Sequence, residues 1–502
     1  MKYLCFLFLL GCQLAFSQPL IEREITLDDF RLGLSDGVQL ADESWLFSSF
    51  AYPRNFADSA LALVVKTDAE FRPLWSKRFK GLRNDDFSYI THLRDGHVLI
   101  GGTMRQDFSL TNGGSVFKLD TAGNILWHKL YSDSFDDRVE EIFEQADSSL
   151  IMVIRKGVTN TATKILHTTK DGDIISEYAY SFANNGLKFE AATTDGQGTY
   201  YLTGDQVDAD SAYSIQFVAE LTENGLQWFQ RYFFGRSVSG NAITLDANGY
   251  LWLSGTITDT AAPNTQNPWL MQLNVDGSLR WAREYKRTEL FTEFAGSLSP
   301  RANGSMRVYG SAFGANNSDG IAWQVDEMGV VEWTRAYNHF PFQGAGGGIP
   351  IDQGRLLVNA NASGTVYLLT TTLDGENACS VGSLDFTSAS LSVDVFANVP
   401  LAETVTIEVV DSMAVTVTDL PLNTDVICSQ TVSNEAEIIG SIKLYPVPAG
   451  DILTVELPQH IQEEVEWRLF DVQGKLVRTS RITASANVQP TFLPHNSVKL
   501  YF

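Results

Sequence analysis

Few side chains in this sequence have the type and spacing that chemistry requires. His92 and His97 flank the turn Arg94-Asp95-Gly96, and a hairpin there sends them to opposite sides, so they do not make a metal pair. Asp208-Ala209-Asp210 and the run from Asp133 to Asp137 could offer oxygen ligands to calcium. Neither has the alternating ligands and central glycine of an EF-hand loop, and solvated acidic turns account for both. Gly344 to Gly348 has the composition of a phosphate-cradling loop, but no Lys-Ser/Thr follows it, so it reads as a loop between repeats. His-Glu-x-x-His and Gly-x-Ser-x-Gly are absent. No catalytic, cofactor-binding or metal-ligating residue is therefore assigned, and no cofactor is expected.

The aspartates that do recur sit at fixed places in a repeated phrase. Asp120-Thr121-Ala122-Gly123 leads to Trp127, Lys129 and Tyr131; Glu223-Asn224-Gly225 leads to Trp228 and Tyr232. Asp276-Gly277 leads to Trp281, Arg283 and Tyr285; Asp326 to Gly329 leads to Trp333, Arg335 and Tyr337. Asp68 leads to Trp75, Lys77 and Phe79, and in a worn copy Asp171-Gly172 leads to Tyr178 and Tyr180. The aromatics at 75, 127, 178, 228, 281 and 333 are 52, 51, 50, 53 and 52 residues apart. So regular a period marks a repeat architecture. A second phrase alternates with the first, as in Arg94-Asp95-Gly96 before Val98-Leu99-Ile100, and it occurs seven times, from Asp42 to Gln353-Gly354.

Each phrase is two short β-rich runs around an Asp/Asn-Gly turn, the signature of a hairpin. Two hairpins per period make a four-stranded sheet, and stacked sheets of this size read as propeller blades. Helical repeats are excluded, because the apolar runs are short and punctuated by glycine. The expected fold is all-β: a seven-bladed β-propeller over residues 18–383, a small β module or linker over 384–432, and a C-terminal β-sandwich over 433–502. Trp75, Trp127, Tyr178, Trp228, Trp281 and Trp333 are expected to be structural, wedged between sheets. Residues 365–372 lack a following Trp strand, and Ile21 to Ile25 has the alternation to supply it by antiparallel pairing.

The formal charge of −24 argues against a nucleic-acid partner. Met1-Lys2, an apolar run to Leu10 and Ala15-Phe16-Ser17 make a secretory signal peptide over residues 1–17. Leu9-Leu10-Gly11-Cys12 leaves open a lipoprotein alternative through Cys12. No later segment is apolar and long enough to span a bilayer as a helix. The mature chain keeps Cys379 and Cys428, an even pair that in an exported protein favours a disulfide.

The tail carries a resemblance. Tyr445-Pro446-Val447-Pro448-Ala449 before the alternating Ile452 to Val455, and then Leu469-Phe470-Asp471-Val472-Gln473-Gly474-Lys475, are similar to the two blocks that open the C-terminal sorting domain of the Bacteroidetes type IX secretion system. The resemblance covers residues 440–480. It implies export across both membranes, the type IX machinery as partner, and a secreted or cell-surface location. Residues 484–502 depart from the family's closing strands, so an incomplete sorting domain is expected. The Trp phrase loosely resembles the docking motif of pyrroloquinoline quinone propellers, without their cofactor-holding residues. Asp120-Thr121-Ala122 and similar triplets resemble Bacteroidetes O-glycosylation sites. Together these features imply a non-catalytic propeller that binds an extracellular protein or glycan; the alternative is a hydrolase or lyase working through carboxylates on its axial loops.

The paired cysteines generate a direct test. A peptide map of the unreduced mature protein is expected to contain one species joining the peptides of Cys379 and Cys428; free alkylation of both would refute the bridge.

Overall fold

The computed structural model describes residues 20–53, 60–81, 85–105, 113–132, 137–156, 162–181, 187–207, 213–258, 265–287, 292–313, 318–337, 344–351, 355–362, 365–372, 374–376, 382, 385–397, 401–403, 408–411 and 415–430, and C-terminal strands between 443 and 501. Residues Leu20–Ser429 form one compact unit, and Gln430 onward belongs to a second.

In the first unit the middle strand of each repeat is apolar on both faces. Leu61, Leu63 and Val65 enter one cluster of buried side chains with Val366 and Leu368, while Ala62 and Val64 enter the next with Phe87, Ile100 and Phe117. A strand with both faces covered reads as a continuous apolar run. The result is seven four-stranded antiparallel meanders packed face to face in a ring, with an apolar layer between each pair. Blade 1 comprises Phe30–Gln39, Trp45–Pro53, Leu61–Thr67 and Pro73–Lys80. Blade 2 runs from inner strand Asp86–His92 to outer strand Ile125–Ser132, and blade 3 from Asp137–Glu144 to Ile174–Ser181. Blade 4 runs from Leu187–Thr194 to Gly225–Phe233, blade 5 from Val238–Leu245 to Leu279–Arg287, and blade 6 from Thr292–Pro300 to Val331–Tyr337.

Blade 7 contains Gly344–Ile351, Arg355–Ala362 and Thr365–Leu369, and its fourth strand is the N-terminal Leu20–Thr26. The pairing is antiparallel, with Glu22 opposite Leu369 and Ile25 opposite Val366, as the alternation of Ile21 to Ile25 predicts. The glycine-rich run Gly344 to Gly348 is therefore not a loop between repeats. It is the innermost strand of blade 7, with Ile349 opposite Leu357.

The described residues between 382 and 430 pair with the blades and not with one another. They run back around the rim as a belt that adds a strand to the outer edge of one blade after another. Gly382 bridges Ala336 of blade 6; Phe386–Ser390 pairs with blade 5, Asp394–Ala397 with blade 4 and Leu401–Glu403 with blade 3. Glu408–Asp411 pairs with blade 2, Thr416–Asp419 with blade 1, and Asn423–Gln430 lies beside Leu20–Thr26 on blade 7. Strand twist accumulates across a blade. It turns the outer strands toward the circumference, so one extended chain can follow them all.

The repeated phrase is a latch between blades. The tyrosine hydroxyls of 131, 232, 285 and 337 donate to the carbonyls of Gly172, Gly277, Gly329 and Gly375 in the next blade's turn, at 2.7, 2.6, 2.8 and 2.8 Å. The cation between Trp and Tyr reaches the same turn: Lys77 Nζ meets the Ala122 carbonyl at 2.7 Å and Arg283 Nε the Met328 carbonyl at 2.8 Å. The tryptophans lie half-buried on those turns, whereas Tyr131, Tyr232 and Tyr285 are fully buried. Gly329 has φ +75°, and a Cβ there would come within 2.7 Å of the Trp281 ring. A side chain at the start of each turn holds it: Asp326 Oδ1 accepts the Met328 and Val330 amides at 2.9 and 2.8 Å, and in other copies a threonine takes the place, as where Thr372 Oγ1 accepts the Glu376 amide at 3.0 Å.

The worn copy is where the latch is loose. Ser176 pairs with His167 as Trp127 pairs with Lys118, so Ser176 occupies the Trp position and Tyr178 occupies that of Lys129. Tyr178 is accordingly exposed, and the spacing that made it the aromatic anchor is out of register by two. A small apolar cavity of ≈ 20 Å³, lined by Tyr180, Leu221, Leu226 and Phe229 among others, lies at this blade 3–4 interface.

In the second unit Lys443–Tyr445, Ile452–Glu456 and Val488–Phe492 form one sheet, and Leu476–Ile482, Val465–Asp471 and Val498–Tyr501 another. Residues 498–501, where the sequence led us to expect no closing strand, pair antiparallel with Arg468 to Asp471.

Two substitutions test the latch by thermal denaturation. Ser176→Trp should stabilise the ring by about 1 kcal/mol, as restoring a repeat's missing residue commonly does. Gly329→Ala should destabilise it by more than about 1 kcal/mol, since alanine at positive φ is strained and here meets an indole.

Candidate functional site: the inner edge of blades 2 to 4

A ring of like blades gives the same backbone slots seven times, so chemistry shows as departures from the repeat. All seven inner strands carry one extra residue in the same place, a β-bulge that re-aims side chains. The extra residues are Ser35, Ser88, Glu140, Glu190, Asn241, Gly296 and Gly346. Two positions earlier stand Gly33, Asp86, Arg138, Lys188, Ser239, Phe294 and Gly344. Charge in these slots is confined to blades 2, 3 and 4. The second strands add to it, with Arg155 opposite Arg138 and Asp205 opposite Lys188.

These side chains form one arc. Arg138 lies 3.5 Å from Asp86 of the neighbouring blade and 3.5 Å from Glu140. Arg155 Nε lies 2.9 Å from Glu140, and Lys188 pairs closely with Glu190. The cations are the more open layer: the side chains of Lys188 and Arg138 are 42% and 31% exposed, against 22% and 18% for Glu190 and Glu140. Tyr52 of blade 1 stands at the end of the arc, 45% exposed, with its ring edge-on to Phe50 at 5.4 Å.

Burial shapes the acids behind. The Asp205 carboxyl is pushed up to about 7, first by burial and then by the adjacent Glu190. Burial also raises Asp86 and Glu140 against the pull of Arg138 and Arg155. Further along the inner strands, Asp36 of blade 1 accepts the Ile90 and Gly37 amides at 3.1 and 2.8 Å, and burial lifts it to about 6. Glu141 of blade 3 is raised well above its ordinary value by burial and by Asp36. The corresponding wall of blades 5 to 7 carries Ala242, Ser297 and Gly347.

Such an arc can hold planar hydrogen-bond donors and acceptors in fixed directions, and Asp205 beside Glu190 is a carboxyl pair able to hold a proton near neutral pH. It does not make a metal centre: among the described residues no group of three or more His, Cys, Asp or Glu could hold a metal ion. His92 and His97 lie away from it, at a tight turn where His97 Nδ1 meets Asp95 at 3.1 Å. Asp208 to Asp210 and Asp133 to Asp136 lie outside the described residues, as do Cys379, Pro446, Pro448, Gly474 and Lys475. Cys428 is in the last belt strand, Tyr445 ends the strand Lys443–Tyr445, and Asp471 ends Val465–Asp471. No helix among the described residues is long and apolar enough to cross a membrane.

Residues 443–492 match the family described as the secretion system C-terminal sorting domain. No curated protein matches the chain. Among solved structures it is similar to an ulvan lyase of a new polysaccharide lyase family, at 9% identity and TM-score 0.45 over 70% of this chain and 96% of that one. It is likewise similar to that lyase bound to -[GlcA(1-4)Rha3S]-, at 8% identity and TM-score 0.42 over 70% and 98%. A protein of unknown function from Dyadobacter fermentans DSM 18053 matches at 9% identity and TM-score 0.37 over 62% and 96%. Similarity at this level says nothing of substrate.

The buried acids predict a pH dependence. Asp205 is raised to about 7 and Glu293, buried beside Arg287, to about 8. Folded-state values above the unfolded ones give stability that is complete at low pH and lost as pH rises through the folded values. His128, lowered by burial to about 4, opposes this only below its ordinary value near 6.5. The melting temperature should therefore fall from pH 6.5 to 8, and Asp205→Asn should flatten the slope. An unchanged slope in this variant would show that Asp205 is already ionised in the folded protein.

Proposed function

We propose, from the sorting domain in residues 443–492 and the ring it follows, that this protein is a non-catalytic binding or scaffold propeller delivered to the cell surface or medium by a type IX secretion system. Its entry signal is residues 1–17, removed after Ser17, with a lipidated Cys12 as the variant of the same route. The reading of the ring as a binding module is supported by one observation: the bulge residue, or the residue two before it, is charged in the inner strands of blades 2, 3 and 4, and neither of these two slots is charged in the other four. An extracellular protein or glycan is the ligand class, since the acidic chain disfavours nucleic acid.

Two measurements test this. Deleting residues 440–502 should leave the ring in the periplasm; unchanged surface delivery would overturn the export route. For binding, labelled ring protein is titrated onto the extracellular polysaccharide and protein fractions of the producing cells. Arg138→Ala with Lys188→Ala should weaken the interaction about tenfold or more, a loss of about 1.4 kcal/mol, at unchanged melting temperature.

A second reading, a hydrolase or lyase acting on extracellular glycans or peptides, is favoured by the Asp205–Glu190 pair, because a carboxyl held near 7 suits a general acid or base. It predicts turnover of a polysaccharide or peptide panel that Asp205→Asn abolishes; binding without turnover leaves the first reading.

A further inference from the structure

We infer that the belt of residues 382–430 is a closure-dependent clamp: it docks as one unit, and only on a completed ring. The belt keeps step with the blades. Ser388, Val395, Ala402, Val409 and Val417 stand opposite Tyr285, Tyr232, Tyr180, Tyr131 and Phe79, the last residue of each latch. The belt thus advances 7, 7, 7 and 8 residues per blade.

No belt strand on blades 1 to 5 can hold itself. Each has three to five residues. Ordering a residue costs more in chain entropy than one ladder hydrogen bond returns. The deficit is met by apolar side chains between and within these strands, and they rest on layers shared by two blades. Leu420 and Leu422 pack on the layer of blades 7 and 1, Val415 and Val417 on that of blades 1 and 2, and Val409 on that of blades 2 and 3. Leu391 and Val393 pack on the layer of blades 4 and 5, and Phe386 on that of blades 5 and 6, with its ring 5.2 Å from Trp323. A misplaced blade removes the seat of its belt segment.

The last strand depends on closure directly. Asn423–Gln430 is neighbour to Leu20–Thr26, which has an edge to offer only after pairing with Thr365–Leu369. Asn423 Nδ2 donates to Asp28 at 2.9 Å, and Arg23 Nη1 reaches Thr424 at 3.5 Å. The belt leads straight into the residues of the second unit. Given the export reading, an unclosed ring would carry its sorting domain on a loose, cleavable strap, and a closed ring on a docked one.

The clamp is tested on the purified full chain, independently of export. In native-state hydrogen exchange with increasing urea, belt amides on blades 1 to 5 should open with one shared free energy and one urea slope, together with Leu20–Thr26. A series of opening energies that falls toward residue 430 would mean peeling from the end and would overturn the inference. As a second arm, Tyr285→Phe removes only the hydroxyl that bonds the Gly329 carbonyl, loosening the blade 5–6 latch and leaving the belt sequence unchanged. It should raise belt exchange on all five blades about equally, by roughly fivefold to tenfold for the loss of about 1 kcal/mol. A rise confined to Phe386–Ser390 would refute cooperative docking.

Discussion

A four-stranded blade has two apolar faces and can bury neither alone. Every other feature of the ring stems from that constraint. Because Leu63 faces one neighbour and Ala62 the other, the chain has no single core but seven layers, each owned half by one blade and half by the next. The stability of a layer then depends on the angle and distance between blades, and the latch fixes both. In blades 2, 4, 5 and 6 a tyrosine hydroxyl on a glycine carbonyl, with an indole laid on the same turn, holds the outer strand to the turn beyond it. Between blades 3 and 4, where Ser176 replaces the indole, one element of the latch is missing, and the layer between the same two blades contains a small apolar cavity.

The ring was legible because its determinants are local. Asp-x-x-Gly turns, the Trp-x-Lys/Arg-x-Tyr strand and the apolar middle strands recur at one spacing, and each is set by a few adjacent residues. N-terminal closure of blade 7 was legible for the same reason: Ile21 to Ile25 alternates and occupies the place of a missing strand. The assignment of Tyr178 failed because the repeat from blade 2 to blade 3 is two residues shorter than the spacing assumed, and strand register rather than residue count decides which side chain meets the neighbouring turn. Gly344 to Gly348 was misread because composition suggested a loop, whereas pairing along Arg355–Ala362 makes it a strand.

The belt and the charged arc were hidden for different reasons. Belt strands are short and largely exposed, so they carry little periodic signal; what identifies them is the step of seven or eight residues through Ser388, Val395, Ala402, Val409 and Val417, meaningful only against a known ring. The arc was hidden because its residues come from three repeats. Arg138, Glu140, Lys188 and Glu190 are ordinary solvated charges when read singly. They converge only when the inner strands are laid over one another at the bulge, and a comparison of repeats slot by slot would have found them.

The two ends of the folded ring, Leu20–Thr26 and Asn423–Gln430, are neighbouring strands of blade 7. A pull applied between them is borne by those two strands and does not cross the disc. Blades 1 to 6 lie outside the line of force, so tension on a tethered molecule would strain a single seam while the inner edge of blades 2 to 4 keeps its shape.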